Sequence, residues 1–215
     1  MNIIGINGSP RKGWNTHLLV EEALKGAAAK GAETELINLY DLDFRGCISC
    51  FQCKVKGGKS PGRCAVKDDL KGVLDKIHNS DGFVIGSPIY ISEITAAARA
   101  LLERLVFQYI SYNAGQKPLF DRRIRTGLII TTNAPEQAFE QIGYTARFKG
   151  YEGMLGMIFG PAKVLYSAET LQVTDYGKYE MSQFNEAERK KRREEVFPRH
   201  LEAARTLGEE LTQPV

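Results

Sequence analysis

Apolar residues follow two alternating patterns along this chain, short continuous runs and longer stretches with helical spacing. Short, fully apolar runs are typical of parallel strands that are covered on both faces. Apolar residues three or four positions apart are typical of helices that pack on a core. The runs predict strands at residues 2–7, 35–39, 82–86, 126–132 and 163–166. The helical stretches predict helices at residues 15–30, 69–77, 94–112 and 137–148, and a charged helix at 184–211 interrupted near Pro198.

The order of these elements predicts the topology. Strands that alternate with helices at this spacing form a parallel sheet with right-handed crossovers. Five strands favour the flavodoxin-like order over the larger Rossmann sheet. We therefore expect an α/β fold of three layers, with a doubly wound five-stranded parallel sheet. One domain would span residues 1–215, with a long cysteine-containing loop at about 44–67 and a helical C-terminal extension at about 167–215.

Composition adds a few limits to this picture. Of the 215 residues, 43% are hydrophobic and 26% are charged, and the formal net charge is +3. A charge this small gives no support for a nucleic-acid partner, and it also argues against a carrier that docks through a strong field of one sign. No apolar stretch is long enough for a bilayer, and the N-terminal residues do not form a signal peptide. We therefore expect a cytoplasmic protein with neither a nucleic-acid nor a membrane partner.

The loop at residues 8–16 carries candidate chemistry. It lies between the first strand and the first helix, where doubly wound folds bind anions at a helix N-terminus. It matches neither the P-loop nor the three-glycine dinucleotide motif. Hydroxyl, amide, guanidinium and backbone N–H donors would suit a terminal phosphate monoester. The donors are Ser9, Arg11, Asn15 and Thr16. The alternative, a helix cap after a proline turn, accounts for Asn15 and Thr16 but not for Ser9 and Arg11.

Two later loops follow the third and fourth strands. The carboxyl ends of parallel strands meet at one edge of the sheet, so these loops are expected beside the first one. Their candidate binding residues are Pro88, Ile89, Tyr90, Ile91 and Ser92 in the second loop, and Thr132 and Asn133 in the third. For Tyr90 alone, the alternative is a half-buried loop aromatic with no ligand.

The segments G-S-P-R-x-G-x-N-T at residues 8–16 and G-S-P-I-Y at 86–90 resemble the NAD(P)H-dependent FMN reductase branch of the flavodoxin-like superfamily. The resemblance implies that the first loop holds the FMN phosphate and that Tyr90 and Ile91 lie along the flavin ring. It also implies flavin chemistry with no catalytic side chain, and a homodimer or homotetramer. The third loop, T-N-A-P at 132–135, departs from the family's glycine-rich turn.

All four cysteines fall within the loop predicted at 44–67. They are Cys47, Cys50, Cys53 and Cys64. Thiolates at two-residue spacing can converge on a tetrahedral zinc or on a [4Fe–4S] cluster, and this pattern resembles the iron–sulfur flavoprotein subgroup, although the last gap is longer than usual there. Cations in that gap, at Lys54, Lys56, Lys59 and Arg63, would stabilise an anionic cluster. The alternative is a basic surface loop whose cysteines stay free thiols.

The resemblance implies an FMN-dependent oxidoreductase. NAD(P)H would be the electron donor, and the acceptor would be a quinone, a nitro or azo aromatic, a flavin or a protein. The alternative is an iron–sulfur flavoprotein that acts as a ferredoxin-linked electron carrier and does not oxidise NAD(P)H directly.

Overall fold

One parallel sheet forms the centre of the computed structural model, which describes residues 1–115 and 117–215. Its strands are β1 (Asn2–Asn7), β2 (Glu33–Asn38), β3 (Gly82–Tyr90), β5 (Arg125–Thr131) and β6 (Ala162–Ser167), with the two-residue β4 (Glu93–Ile94). The five long strands run parallel in the order β2-β1-β3-β5-β6, and β4 pairs antiparallel with the end of β3. This is the predicted flavodoxin-like order, confirmed together with the five parallel strands.

The helices cover both faces of the sheet. They are α1 (Asn15–Ala29), α2 (Asp69–Asn79), α3 (Ala96–Phe107), α4 (Tyr144–Phe159), α5 (Glu186–Glu195) and α6 (Phe197–Leu211). Buried residues of α2, α3 and α4 form one core with the sheet, and those of α1 and α6 form the other. The three predicted layers are therefore present. Within the described ranges, no helix combines the length and apolarity that crossing a bilayer requires.

Two helices differ by more than two residues from their predicted bounds. The bounds predicted for the fourth helix, 137–148, are wrong. Helix α4 begins at Tyr144, after Gly143 with φ of 76°, and continues to Phe159. Only a short 3-10 turn, Glu136–Ala138, lies in the first part of the predicted range. Helix α3 begins at Ala96 because the Thr95 hydroxyl caps it by accepting a hydrogen bond from the Ala98 N–H at 3.2 Å, and it ends at Phe107, five residues before the predicted end at 112.

The C-terminal extension belongs to the folded layers. Its charged segment forms two helices, α5 and α6, and Pro198 lies in the first turn of α6. Helix α6 packs on α1 so closely that a Cβ atom on Gly26 would lie 2.0 Å from the Arg205 carbonyl oxygen. A Cβ atom on Gly208 would lie 1.7 Å from the Ala23 carbonyl oxygen. The two glycines therefore permit this helix contact.

Candidate functional site

A cleft of about 220 Å³ opens at the carboxyl ends of β1, β3 and β5. We call it the strand-edge cleft. Its lining comprises Ser9, Arg11, Trp14, Asn15, Thr16, Pro88, Ile89, Tyr90, Thr131, Thr132, Asn133, Thr170, Gln172, Val173 and Met181. The structure thus brings together the predicted binding residues of all three loops, with the exception of Ile91 and Ser92.

The first loop is shaped by a buried asparagine at the end of β1. The Asn7 side-chain amide donates to the Ser9 carbonyl at 3.1 Å, and its oxygen accepts the Ser9 N–H at 3.1 Å. Gly8 then ties this loop to the second one, because its N–H donates to the Gly86 carbonyl at 2.8 Å. The Thr95 hydroxyl donates to the Gly8 carbonyl at 2.7 Å. Hydrogen bonds between residues far apart in the sequence therefore fix the first loop against the second.

The N-terminus of α1 follows this loop and faces the cleft. The first N–H groups of a helix have no intrahelical acceptor, and the helix dipole favours an anion beside them. The Ser9 oxygen accepts the Arg11 N–H at 3.1 Å, which leaves the Ser9 hydroxyl proton available. The Thr16 hydroxyl shares a 2.7 Å hydrogen bond with the Thr131 hydroxyl. The arrangement offers backbone and hydroxyl donors to a phosphate.

Asn15 and Arg11 contribute differently from the way the sequence predicts. The Asn15 amide donates to the Leu171 carbonyl at 2.8 Å, and its oxygen accepts from Arg193 at 2.7 Å. The Arg11 guanidinium donates to the Gln172 carbonyl and lies 4.2 Å from the centroid of the Trp14 ring. In this structure both side chains hold the C-terminal segment against the cleft.

The second loop contributes one flat wall of the cleft. Ile89 and Tyr90 line it, and partial burial raises the pKa of Tyr90, so the phenol is a neutral donor at neutral pH. Ile91 and Ser92 do not line the cleft. They form the turn between β3 and β4 with φ of 48° and 63°, and Ile91 is 98% exposed.

The remaining wall combines the third loop with a segment that has no role predicted from sequence. The Thr170 hydroxyl donates to the Thr132 carbonyl at 3.2 Å, and the Thr132 hydroxyl accepts the Ala134 N–H at 3.1 Å. Thr170, Gln172, Val173 and Met181 all follow β6. The position of β6 is the signal that could have identified them, because its carboxyl end meets the same edge of the sheet.

Three buried polar atoms in the cleft walls have no hydrogen-bond partner among the described residues. They are the Trp14 Nε1, Asn133 Oδ1 and Gln172 Oε1 atoms. Buried polar groups are seldom left unpaired, so such atoms point to a polar ligand. FMN fits this donor and acceptor set, because it has a phosphate, ribityl hydroxyls and a ring edge that carries both N–H and carbonyl groups.

A second cavity, of about 20 Å³, lies between the cysteine loop and α3. We call it the cysteine cavity, because Cys47, Cys50, Cys53 and Cys64 all line it. The backbone turns sharply at Ser49 and Phe51, with φ of 54° and 56°. Burial raises the pKa of the Cys53 thiol, and the Lys54 charge opposes that shift. Within the described ranges, no three metal-binding side chains are placed closely enough to grip a single ion.

The far end of the loop is folded back by specific contacts. The Gly62 N–H donates to the Cys53 carbonyl at 3.0 Å. The Cys64 N–H donates to the Gln108 side-chain oxygen at 2.8 Å. Arg63 forms an ion pair with Asp75 of α2 at 2.6 Å. These bonds carry the chain across the long gap, so all four cysteines line one cavity. The donor set fits an iron–sulfur cluster.

Arg104 of α3 joins the two ends of this loop. Its fully buried guanidinium pairs with Asp68 at 2.6 Å. It also donates to the Arg45 carbonyl at 3.1 Å and to the Val66 carbonyl at 3.4 Å. Burial opposes ionisation of Asp68, but the bond and charge of Arg104 outweigh it and lower the pKa of that carboxyl. Asp68 is the N-cap residue of α2, but its side chain makes no cap hydrogen bond and pairs with Arg104.

Arg104 and Gln108 have no role predicted from sequence. A signal was present, because Arg104 lies three residues after Leu101 and shares the buried side of α3 with its apolar residues. A charged residue at such a position needs a buried partner. Lys54 was expected to offset cluster charge. Its amine donates to the Phe107 carbonyl and, at 3.0 Å, to the Gln108 carbonyl, while its charge still acts on the Cys53 thiol and favours ionisation of that thiol by lowering its pKa against the effect of burial.

The fold and the strand-edge cleft are those of a flavodoxin-like flavin-binding protein. Residues 1–149 match the family model described as NADPH-dependent FMN reductase. The chain belongs to this family, as its loop motifs indicate.

The curated relatives of this chain are named iron-sulfur flavoproteins. The chain is 42% identical over 104 residues to an iron-sulfur flavoprotein of Methanocaldococcus jannaschii. This match covers 48% of this chain and 51% of the relative. It is 31% identical over 106 residues to an iron-sulfur flavoprotein of Methanosarcina thermophila, covering 49% and 53%. The chain thus spans about half the length of the curated relatives that it matches.

Solved structures share the fold across nearly the full chain. A NAD(P)H:quinone oxidoreductase from Methanothermobacter marburgensis gives a TM-score of 0.72 at 15% identity, covering 98% of each chain. An azoreductase from Bacillus anthracis gives a TM-score of 0.63 at 16% identity, covering 97% of this chain and 99% of the other. At these identities the similarity establishes the flavodoxin-like architecture.

Proposed function

We propose that this protein is an FMN-dependent oxidoreductase that takes electrons from NAD(P)H. The electrons would pass to a quinone, a nitro or azo aromatic, a flavin or a protein. The observation that carries the proposal is the strand-edge cleft, where a helix N-terminus and three unpaired buried polar atoms line one space. The description of the family supports the nicotinamide donor.

The residues of the cleft would bind and orient the cofactor. Backbone N–H groups of α1, with the hydroxyls of Ser9 and Thr16, would hold the phosphate. Trp14, Asn133 and Gln172 would bind the ribityl chain and the polar edge of the ring, and Tyr90 would cover part of its face. FMN, when bound, supplies hydride and single-electron chemistry, so no side-chain acid or base is required.

We propose further that the four cysteines hold a [4Fe–4S] cluster. Their shared cavity and the names of the curated relatives support this. With a cluster present, two-electron input from a nicotinamide could leave the protein in single-electron steps. A zinc site and free thiols are the alternatives, and elemental analysis separates all three.

The cysteine cavity also favours a second candidate function. In this alternative the protein is an electron carrier that exchanges electrons with a ferredoxin and does not react with NAD(P)H. A cluster is a single-electron centre, so it suits such a partner.

Anaerobic purification followed by iron, sulfide, zinc and flavin analysis tests both cofactor assignments. Rapid mixing with NADH or NADPH should then bleach the flavin absorbance. No bleaching by either nicotinamide, with bleaching by reduced ferredoxin, would contradict the reductase and support the carrier. Failure to bind added FMN would overturn both.

A matched pair of variants tests the location of the flavin. Ser9→Ala should weaken FMN binding, because it removes a hydroxyl that lines the cleft. Ser92→Ala should leave FMN binding unchanged, because Ser92 lies in the exposed β3–β4 turn. Equal losses in the two variants would contradict the proposed phosphate site. Fluorescence titration of FMN measures both.

A further inference from the structure

Two N–H groups beside the cysteine cavity have no acceptor. The Nε of Arg104 and the Nε2 of Gln108 are buried and make no hydrogen bond within the described part of the chain. The two residues are 1% and 2% exposed, and both line the cavity that the four cysteines share. An unpaired buried N–H is destabilising, because it has given up its hydrogen bonds to water without replacing them. Two at one place therefore indicate acceptors that belong there.

The orientation of the Gln108 amide is fixed by its neighbour. The Cys64 N–H can only donate, so the side-chain atom that it contacts at 2.8 Å must be the oxygen of Gln108. The NH₂ group is then on the other branch of the amide and keeps both its protons. Gln108 thereby holds a cysteine of the set in place and presents donors to the same cavity.

The orientation of the Arg104 guanidinium is fixed by three oxygen atoms. Asp68, the Arg45 carbonyl and the Val66 carbonyl engage its two terminal nitrogens. These contacts leave Nε as the remaining donor. Burial lowers the pKa of Arg104, but hydrogen-bond and charge interactions with Asp68 and with the Cys64 thiol outweigh it and raise the pKa, so the guanidinium lies beside a cysteine sulfur. Its position is thus set by both ends of the cysteine loop.

The two donors form a matched pair on one side of α3. Gln108 is the C-cap residue of α3 and keeps helical backbone angles. Residues four positions apart on a helix lie one above the other, so Arg104 and Gln108 face the same way. Neither lies in the cysteine loop. Together they form a wall of N–H groups opposite the thiols, supplied by a rigid helix.

We propose that Arg104 Nε–H and Gln108 Nε2–H donate hydrogen bonds to sulfur atoms of a [4Fe–4S] cluster and raise its reduction potential. The proposal rests on the proposed function, which places that cluster on the four cysteines. Reduction adds negative charge to the cluster, and charge-assisted hydrogen bonds strengthen with it. Hydrogen bonds to the sulfurs are among the factors that set the potential of such a cluster.

Spectroelectrochemical titration of the anaerobically reconstituted holoprotein tests the proposal. Gln108→Met removes one donor without adding charge, and Arg104→Lys keeps a cation for Asp68 while removing Nε. Each variant should shift the cluster midpoint potential to a more negative value, and the double variant should shift it further. The flavin potential should not change. Where Gln108→Met does not retain the cluster, Arg104→Lys carries the measurement.

Arg99→Lys is the matched control on the same helix. Arg99 donates to the Tyr151 hydroxyl at 2.8 Å and does not line the cysteine cavity. Its cluster potential should equal that of the wild type. As a second readout, the Fe–S stretching bands in resonance Raman spectra should respond less to D₂O in the Gln108 and Arg104 variants.

Two failures of the proposal are distinguishable. A wild type with full iron and sulfide, and variants with an unchanged cluster potential, would overturn the hydrogen bonds and leave the proposed function in place. A wild type that takes up FMN but neither iron nor sulfide would overturn the cluster and this inference with it.

Discussion

The strand-edge cleft and the cysteine cavity are built by opposite means. The cleft is formed by loops that follow β1, β3, β5 and β6, and each loop carries its binding residues within a few positions of a strand end. The cysteine cavity has its thiols on one long loop, but the contacts that shape it come from a helix about 50 residues away along the chain.

The two regions therefore differ in where the sequence specifies their binding residues. In the cleft, parallel strands bring short motifs to one edge whatever lies between them. In the cavity, a loop without strand or α-helix is held by Arg104 and Gln108 of α3, and by Arg63 bonded to α2. The four predictions below test whether the two regions are as independent as their construction implies.

The largest expected effect is on cluster occupancy. Cys64→Ser should remove stoichiometric iron and sulfide while FMN binding stays within about twofold, because Cys64 lines only the cysteine cavity. Elemental analysis and FMN titration on one preparation measure both. A parallel loss of FMN would show that the two regions are coupled.

Arg104→Met should cost about 3–5 kcal/mol of unfolding free energy, because it leaves Asp68 as an uncompensated, largely buried charge. Urea denaturation measures the loss of unfolding free energy. FMN titration at low urea should show that the strand-edge cleft still binds FMN. The control is Arg99→Met, whose partner Glu103 is half exposed, so the loss there should be only about 0.2–1 kcal/mol. Equal losses of unfolding free energy in the two variants would contradict the structural role given to the buried Arg104–Asp68 pair.

Gly8→Ala should perturb the cleft and spare the cavity. An added Cβ would lie 2.9 Å from the Gly86 carbonyl oxygen, and crowding of this kind costs about 1–3 kcal/mol. FMN affinity should fall while iron content is unchanged. Gly72→Ala is the control: nothing lies within 4 Å of its Cβ position in α2, so the protein should gain about 0.5–1 kcal/mol. Unaltered FMN affinity in Gly8→Ala would count against the packing of the two loops.

The smallest expected effect is a loss of stability in acid, caused by the protonation of two partly buried histidines. One of them lies on each side of the sheet. Burial, reinforced by Arg192, lowers the pKa of His200 below its ordinary 6.5. Burial, then Arg63 and Arg122, lowers the pKa of His78 in the same direction. The unfolded state binds the proton first, so this stability is complete above pH 6.5 and is lost as the pH falls below it.

Denaturation midpoints between about pH 7 and pH 5 measure this effect. His200→Gln and His78→Gln should each flatten the curve. His78→Gln reports on the core that includes α2 and α3, because His78 bonds to Tyr109 there at 2.9 Å. A curve as steep as that of the wild type in both variants would contradict the assignment.

Periodicity and motifs alone determine a large part of this protein. The apolar runs give the five strands and their parallel order, since a fully buried strand has no polar face to expose. The motif at 8–16 locates the anion-binding turn, because a helix N-terminus after a strand is a local feature. Cysteine spacing indicates a metal or redox site, since the ligands themselves are adjacent in sequence.

The tertiary structure decided the rest, because it depends on contacts between distant residues. Ile91 is apolar and follows a binding loop, yet a two-residue hairpin turns it into solvent. The Asn15 amide is taken by Leu171 and Arg193, which arrive only when α5 and the segment after β6 pack on α1. Spacing could not say whether Cys64 meets the other cysteines. Contacts with Arg104 of α3 and with Gln108 at the end of that helix bring it there. The helical pattern indicates that Arg104 lies on the buried side of α3, but it does not identify the partners of either residue.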